Sequence, residues 1–355
     1  MEKEGLNDLR SEIDKVNLEI LNLLNKRATL VEKVTTIKNE QGIDFFDPVR
    51  EIEMVEKLFK SNKGPLYNEL IKEIYNVIFN TSLKFMGIVR DRKLLISSQN
   101  ECDRFKIHEL AKQNMDTPIM IAGPCAIEKL EYLEEVAKLL VSKKVKFLRG
   151  GAYKPRTSPY EFQGLGEDGL KMLKYIGNKY ELKTISEVVD TRDVDMIADY
   201  VDIIQIGARN MHNFELLKEA GRTGKTILLK RGLSAKIQEF MYAAEYIAVQ
   251  GNNKIILCER GIRTFENMTR NTLDISAIPI LKKETNLPII VDLSHSLGRK
   301  DIVNSIAKAV LAAGAEGIMV EVHPFPELAL SDSMQQLNFK EFSELIDYIG
   351  YNQTT

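Results

Sequence analysis

The run Leu148-Arg149-Gly150-Gly151-Ala152-Tyr153-Lys154-Pro155-Arg156-Thr157-Ser158-Pro159 gathers three cations, two glycines and two hydroxyls behind a short apolar segment, Val145-Lys146-Phe147-Leu148. Glycines let backbone amides approach a ligand closely. Arg adds a planar fork of donors matched to phosphate or carboxylate. Such a loop suits an anionic, phosphorylated small molecule. A merely solvated basic loop fits less well, because two glycines and two prolines fix its shape. Further cations follow later apolar runs: Arg209, Lys230 and Arg260. Six cations at corresponding strand ends would repel one another unless an anion joined them. A second group has different chemistry. Cys125, His295, Glu321 and Asp332 offer a thiolate, an imidazole and two carboxylates, a donor mixture that suits one divalent transition metal. Singly, each has an ordinary reading: Cys125 as a small core residue, His295 as a hydrogen-bonded strand-end histidine, the carboxylates as partners of the cations. No compact spacing motif joins them.

These residues need elements to position them. From Pro118 onward, short apolar strands alternate with amphipathic helices, the pattern of parallel strands with crossover helices. Strands are predicted at Ile119–Ala122, Val145–Arg149, Lys183–Glu187, Ile203–Ile206, Thr226–Leu229, Lys254–Cys258, Ile289–Asp292 and Gly317–Glu321. Eight strands in about 235 residues match the roughly 250 typical of a (β/α)8 barrel. A doubly wound sheet is the alternative, but no Gly-x-Gly-x-x-Gly follows the first strand. In such a barrel the site lies at the C-terminal strand ends, where all the residues named above would fall.

Residues 5–86 read as helices only. Apolar residues recur at three- and four-residue steps from Leu6 to Ile37, with no Pro or Gly before Gly42. A helix of that length points to packing between chains, hence a homodimer through this region. Asp47-Pro48 opens a second helix. Gly64-Pro65 breaks the chain, and a third helix is expected to run to about Met86. The division expected is a small all-α three-helix domain over 1–86, a linker over 87–116 and an α/β barrel over 117–355. Within the linker a strand is expected at 93–97 and a short helix at 107–113.

The 355-residue chain has 44% hydrophobic and 28% charged residues and a net charge of -2. That balance argues against a nucleic-acid partner. No apolar run reaches a membrane span, and the start of the chain lacks the apolar core of a signal peptide. A cytoplasmic protein is expected. Three widely spaced cysteines make no disulfide framework.

Residues from about 118 to 350 resemble 3-deoxy-D-arabino-heptulosonate 7-phosphate (DAHP) synthase. The motifs are Ala122-Gly123-Pro124-Cys125, the Lys-Pro-Arg-Thr-Ser of Leu148–Ser158, Ile206–Asn210, Leu229–Gly232, Cys258–Gly261, Ser294-His295-Ser296, Glu321–Pro324 and Leu330-Ser331-Asp332. The resemblance implies condensation of phosphoenolpyruvate with erythrose 4-phosphate, the first step of the shikimate pathway. By it, Arg149, Lys154, Arg209, Lys230 and Arg260 hold phosphoenolpyruvate. Arg156 and Thr157 hold the sugar phosphate. Cys125, His295, Glu321 and Asp332 ligate one divalent metal ion (Mn, Fe, Co or Zn), and Lys154, His295 and Cys125 are the catalytic group. Leu293 departs from the family's common Asp-Pro-Ser-His. A sister barrel that makes 3-deoxy-D-manno-octulosonate 8-phosphate has Lys-Ala-Asn-Arg-Ser in the loop and ranks second. Tetramers through the barrels are expected.

The front region resembles an all-helical chorismate mutase. The matching residues are Leu9-Arg10, Ile13-Asp14, Leu23-Leu24, Lys26-Arg27, Lys38 and Asp47-Pro48-Val49-Arg50-Glu51. The implied chorismate or prephenate site comprises Arg10, Arg27, Lys38, Asp47, Arg50, Glu51, Ser82 and Met86. Arg27 and Lys38 are eleven residues apart and share a helix face. Arg10 lies about 25 Å along the helix from Arg27, so a partner chain must supply it. Met86 stands where the family usually offers Gln. Met cannot donate a hydrogen bond, which lowers the expected mutase rate by about 10²–10³. Two-activity enzyme, prephenate-sensing regulator and dimerisation element are the three readings of this region.

Overall fold

The computed structural model describes residues 5–41, 48–85, 94–98, 105–156 and 158–351. The chain divides into two compact units, Met1–Leu94 and Leu95–Thr355.

The first unit is three helices: α1 (Leu6–Gln41), α2 (Pro48–Ser61) and α3 (Asn68–Phe85). The uninterrupted 36 residues of α1 follow from the absence of Gly and Pro. Asn62 builds the turn before α3. Its Nδ2 donates to Leu66 O at 2.8 Å, and its Oδ1 accepts from Gly64 N at 3.1 Å. Among the described residues of this unit only Phe79 is buried. The apolar stripe Leu9, Ile13, Val16, Ile20 and Leu23 is exposed along α1.

The second unit is a closed barrel of eight parallel strands in sequence order, β1 pairing with β8. They are β1 (Ile119–Gly123), β2 (Phe147–Arg149), β3 (Lys183–Val188), β4 (Ile203–Ile206), β5 (Thr226–Lys230), β6 (Ile255–Glu259), β7 (Ile289–Asp292) and β8 (Gly317–Glu321). Before the barrel runs one helical turn, α4 (Ile107–Leu110). After it come α5 (Leu130–Ser142), α6 (Glu167–Tyr180), α7 (Val194–Tyr200), α8 (Phe214–Arg222), α9 (Ile237–Ala248), α10 (Ala277–Glu284), α11 (Leu293–Leu297), α12 (Val303–Ala312) and α13 (Phe339–Tyr348). Ile121, Phe147, Ile185, Ile203, Leu228, Ile256, Ile290 and Met319 fill the interior, as expected for strands buried on both faces. Every predicted strand of the barrel forms. β6 starts one residue late, at Ile255 rather than Lys254, and β2 two residues late, at Phe147 rather than Val145: Lys144 takes a left-handed turn (φ 59°), and Val145 N donates back to Leu140 O at 2.9 Å to close α5.

The stretch expected to be a linker differs more. Over residues 94–97 no strand forms, and Ser97 makes a single antiparallel bridge to Thr285. The backbone amides of Leu95 and Ile96 instead donate to the Glu245 carboxylate of α9 at 2.9 and 3.3 Å. Ile96 O accepts from Asn286 N, and Ser98 Oγ donates to Lys283 O at 2.6 Å. Ile107 is fully buried and joins the barrel interior, and the expected helix is cut to the single turn of α4, followed by Lys112 in a left-handed conformation (φ 50°). Among the described residues no helix is long and apolar enough to cross a membrane.

Candidate active site

The C-terminal ends of the strands bring the second group of residues together. The ligating atoms of Cys125, His295, Glu321 and Asp332 all lie within 4.8 Å of one another. Metal–ligand bonds of about 2.1 Å in a tetrahedron leave ligand atoms about 3.4 Å apart. Here His295 Nε2 is 3.4 Å from Glu321 Oε1 and 3.6 Å from Asp332 Oδ2, and Cys125 Sγ is 3.5 Å from Asp332 Oδ2. The donor set and its spacing therefore fit a divalent ion.

Each ligand is fixed by its own element. β1 ends at Gly123, where φ is +149° and an added Cβ would fall 2.0 Å from Arg149 O, so only glycine fits beside β2. Cys125 follows, with its amide donating to Gln336 Oε1 at 3.0 Å. Burial, with the nearby Glu321 charge, pushes the Cys125 thiol up to about 12. β7 ends at Asp292, which caps α11 by accepting from His295 N at 3.0 Å. Leu293 holds the first helical position of α11, buried, where proline is common in such helices. Asp292 Oδ2 also meets His295 Nδ1 at 2.8 Å. That contact assigns the proton to Nδ1 and leaves the Nε2 lone pair for a ligand. Burial lowers the His295 pKa against the pull of Asp292 and Glu321. The Asp292 carboxyl would be raised by burial, but His295 and Lys230 outweigh it and hold it well below the carboxylate range. Glu321 is held low in the same way by His295, Arg149 and Lys154.

Beside this group lies a cleft of about 350 Å³ lined by Lys154, Arg156, Arg209, Lys230 and Arg260, among others. Arg149 sits apart from that lining, buried and paired to Glu321 Oε1 at 2.5 Å. Lys154 Nζ bridges cleft and ligand group, 3.0 Å from Cys125 O and 3.1 Å from Cys125 Sγ. Lys230 Nζ donates to Asp292. Arg260 Nη2 donates to His295 O at 3.1 Å, while its Nη1 is buried without a hydrogen-bond partner. Arg156 Nε donates to Phe162 O at 3.2 Å. Thr157 lies outside the described residues. Arg231, also at the end of β5, is committed elsewhere: it pairs with Glu259 at 2.8 Å and Asp274 at 2.9 Å.

The glycines of the basic loop admit neighbouring protein atoms rather than a ligand, backbone at Gly151 and a core side chain at Gly150. A Cβ on Gly151 would come within 2.6 Å of Cys125 O, and one on Gly150 within 2.8 Å of Ile127. Gly151 O accepts from Ile127 N at 2.9 Å, locking the loops after β1 and β2 together. Sequence reasoning missed Asp292, Arg270 and Gln335. A charged residue at the end of a predicted strand was the available signal for Asp292. No signal marked the other two.

In the helical unit, Arg27 donates to Ser82 Oγ, lies 5.5 Å from the Phe79 ring centroid, and feels the Glu51 charge. Burial lowers the pKa of Arg27. Arg50 meets Glu53 at 3.4 Å on its own helix. Arg10 and Lys38 lie on α1 with Arg27. Asp47 and Met86 lie outside the described residues.

The DAHP synthetase I family model matches residues 104–353, and that of chorismate mutase type II matches residues 9–86. A phospho-2-dehydro-3-deoxyheptonate aldolase of Thermotoga maritima is 59% identical over 227 residues, 64% of this chain and 67% of that protein. A 2-dehydro-3-deoxyphosphooctonate aldolase of Rhodopseudomonas palustris is 31% identical over 247 residues, 64% of this chain and 85% of its own. The crystal structure of the Thermotoga maritima DAHP synthase superposes with a TM-score of 0.65 at 56% identity, covering 66% of this chain and 69% of that one. The barrel, its strand-end chemistry and these matches agree: the chain belongs to the DAHP synthetase I family and carries a chorismate mutase type II domain ahead of its barrel.

Proposed function

We propose that the barrel condenses phosphoenolpyruvate with erythrose 4-phosphate in a metal-dependent reaction. The observation that carries this reading is the four-donor group of Cys125, His295, Glu321 and Asp332 beside a cleft lined by cations. Lys154, Arg209, Lys230 and Arg260 would bind the carboxylate and phosphate of the enol donor, and Arg149, behind the lining beside Glu321, would complete that set. Arg156 and Thr157 would bind the phosphate of the aldose. Cys125, His295, Glu321 and Asp332 would hold the ion, which when bound supplies Lewis acidity toward the aldehyde oxygen. Fixed cations in a closed cleft stabilise developing negative charge without reorganising. Lys154, against Cys125 and lining the cleft, would deliver a proton to the forming alkoxide. The carbon–carbon bond would form first, from C3 of the enol to the aldehyde carbon; water would then add at C2, and inorganic phosphate would leave as the C2 ketone forms.

Residues 1–86 are proposed to form the chorismate- or prephenate-binding module, with residues 117–355 as the synthase. Arg27, with Ser82 Oγ against it and Glu51 within electrostatic reach, offers a fixed cation for one carboxylate of such a ligand. The exposed α1 stripe supports dimerisation, with Arg10 supplied by the partner chain. Met86 in place of the usual Gln favours binding and feedback over fast turnover.

The test is an initial-rate assay of the full chain with erythrose 4-phosphate and with a five-carbon aldose phosphate, with and without chelator, and with and without prephenate. Condensation should be specific for the four-carbon sugar, abolished by the chelator and by Cys125→Ala, and inhibited by prephenate. Full activity of Cys125→Ala in chelator would end the metal assignment.

A further inference from the structure

Gln335 stands in no motif of the site, yet its side-chain amide is buried and used at both ends. Nε2 donates to Glu321 Oε2 at 2.6 Å and lies 3.3 Å from Asp332 Oδ2. Oε1 accepts from Arg270 Nη1 at 2.6 Å. The orientation of the amide is chemically determined: Arg270 can only donate and the ionised carboxylates can only accept, so Oε1 must face the guanidinium. Arg270 is itself fixed. Its amide donates to Leu297 O at 2.9 Å, and its Cβ lies 2.5 Å from where a side chain on Gly298 would begin.

The two carboxylates need such a tie. They repel each other at close range, and Arg270 Nη1 reaches Asp332 Oδ2 as well, at 3.0 Å. Asp332 also holds a left-handed backbone conformation, φ 49°, on the long segment after β8. Arg270 already places one cation beside Asp332. A lysine at 335 would add a second charge opposing a bound ion, whereas the neutral amide ties both carboxylates and adds none.

We propose that Gln335 is a positioning residue, whose amide sets the separation and rotamers of Glu321 and Asp332 for metal binding while Arg270 holds the amide in register. This rests on the metal reading of Cys125, His295, Glu321 and Asp332. Residues of this kind, one step behind the ligands, typically change metal affinity 10–100-fold when lost.

The experiment compares the full chain with Gln335→Met, which keeps the length and removes the donor. Cobalt(II) is titrated against a competing chelator and followed by the absorption of the cobalt–thiolate bond. Thermal unfolding is recorded for metal-free and cobalt-loaded protein. The expected result is a cobalt affinity about 10–100-fold weaker, a smaller cobalt-induced rise in the unfolding temperature, and an unchanged metal-free unfolding temperature. Unchanged cobalt affinity would overturn the proposal, as would a loss of metal-free stability with affinity intact, the mark of simple packing. Should Gln335→Met not fold, Gln335→Asn keeps the amide one methylene too short to span both carboxylates, and it should lose at least about tenfold in affinity. Wild-type protein that takes up no cobalt would overturn the underlying metal reading, an outcome independent of residue 335.

Discussion

Asp292 joins the two halves of the candidate site. It accepts from Lys230, which lines the cleft, and from His295, which belongs to the ligand group. One buried carboxylate thus sets the tautomer of the imidazole and balances a cation of the cleft. Asp292→Asn keeps the size and the helix cap, since its oxygen can still accept from His295 N. It removes the charge that both neighbours need. The expected outcome is a folded enzyme with turnover lowered about 10–100-fold, read by steady-state kinetics with both substrates varied. Wild-type turnover in Asp292→Asn would leave Lys230 and His295 without a shared function.

At the scale of elements, the strand ends separate cations that face a ligand from cations that brace the barrel. Lys230 and Arg231 are adjacent at the end of β5, yet only Lys230 lines the cleft. Arg231 ties β6, through Glu259, to Asp274 just before α10, and its Nε donates to Ala235 O at 3.0 Å. Removing one partner from a buried ion pair leaves the others uncompensated, at about 3–5 kcal/mol. Arg231→Met should therefore shift the urea midpoint strongly downward. The KM for phosphoenolpyruvate of the protein that remains folded should be unchanged. Lys230 is legible in the sequence as a ligand-facing cation, but the bracing role of Arg231 is hidden there, because it depends on a carboxylate 43 residues away. Most strands were legible for the opposite reason: a strand buried on both faces, such as β6 or β7, is a run of Ile, Leu and Val visible locally. Cys125, His295 and Glu321 were legible because each lies at or just after a strand end. Arg270 and Gln335 were not, since each reaches the site from a loop whose path no periodicity records.

At the scale of the whole molecule, the two units are stabilised in different ways. The barrel has a closed apolar interior. The helical unit buries only Phe79 among its described residues and leaves Ile13 and Ile20 exposed on one stripe. An apolar stripe of this kind marks an interaction surface, which in the proposed dimer a second copy would cover. Ile13→Lys combined with Ile20→Lys should lower the mass found by sedimentation velocity and abolish chorismate or prephenate binding, because Arg10 could no longer reach a partner's site. Condensation by the barrel should persist. The exposed stripe was legible as a long helical period, whereas the strap over residues 94–98 was not. Its grip comes from Glu245, about 150 positions later, and from the carbonyl of Lys283.

That strap also has a mechanical consequence. It is fastened at two points, to α9 through Glu245 and to the end of α10 through Thr285 and Lys283. Those helices flank β6 in the chain, and β6 leads to Glu259 and Arg260. A tensile load arriving at Leu95 would therefore be shared between two anchors, one on α9 and one at the end of α10.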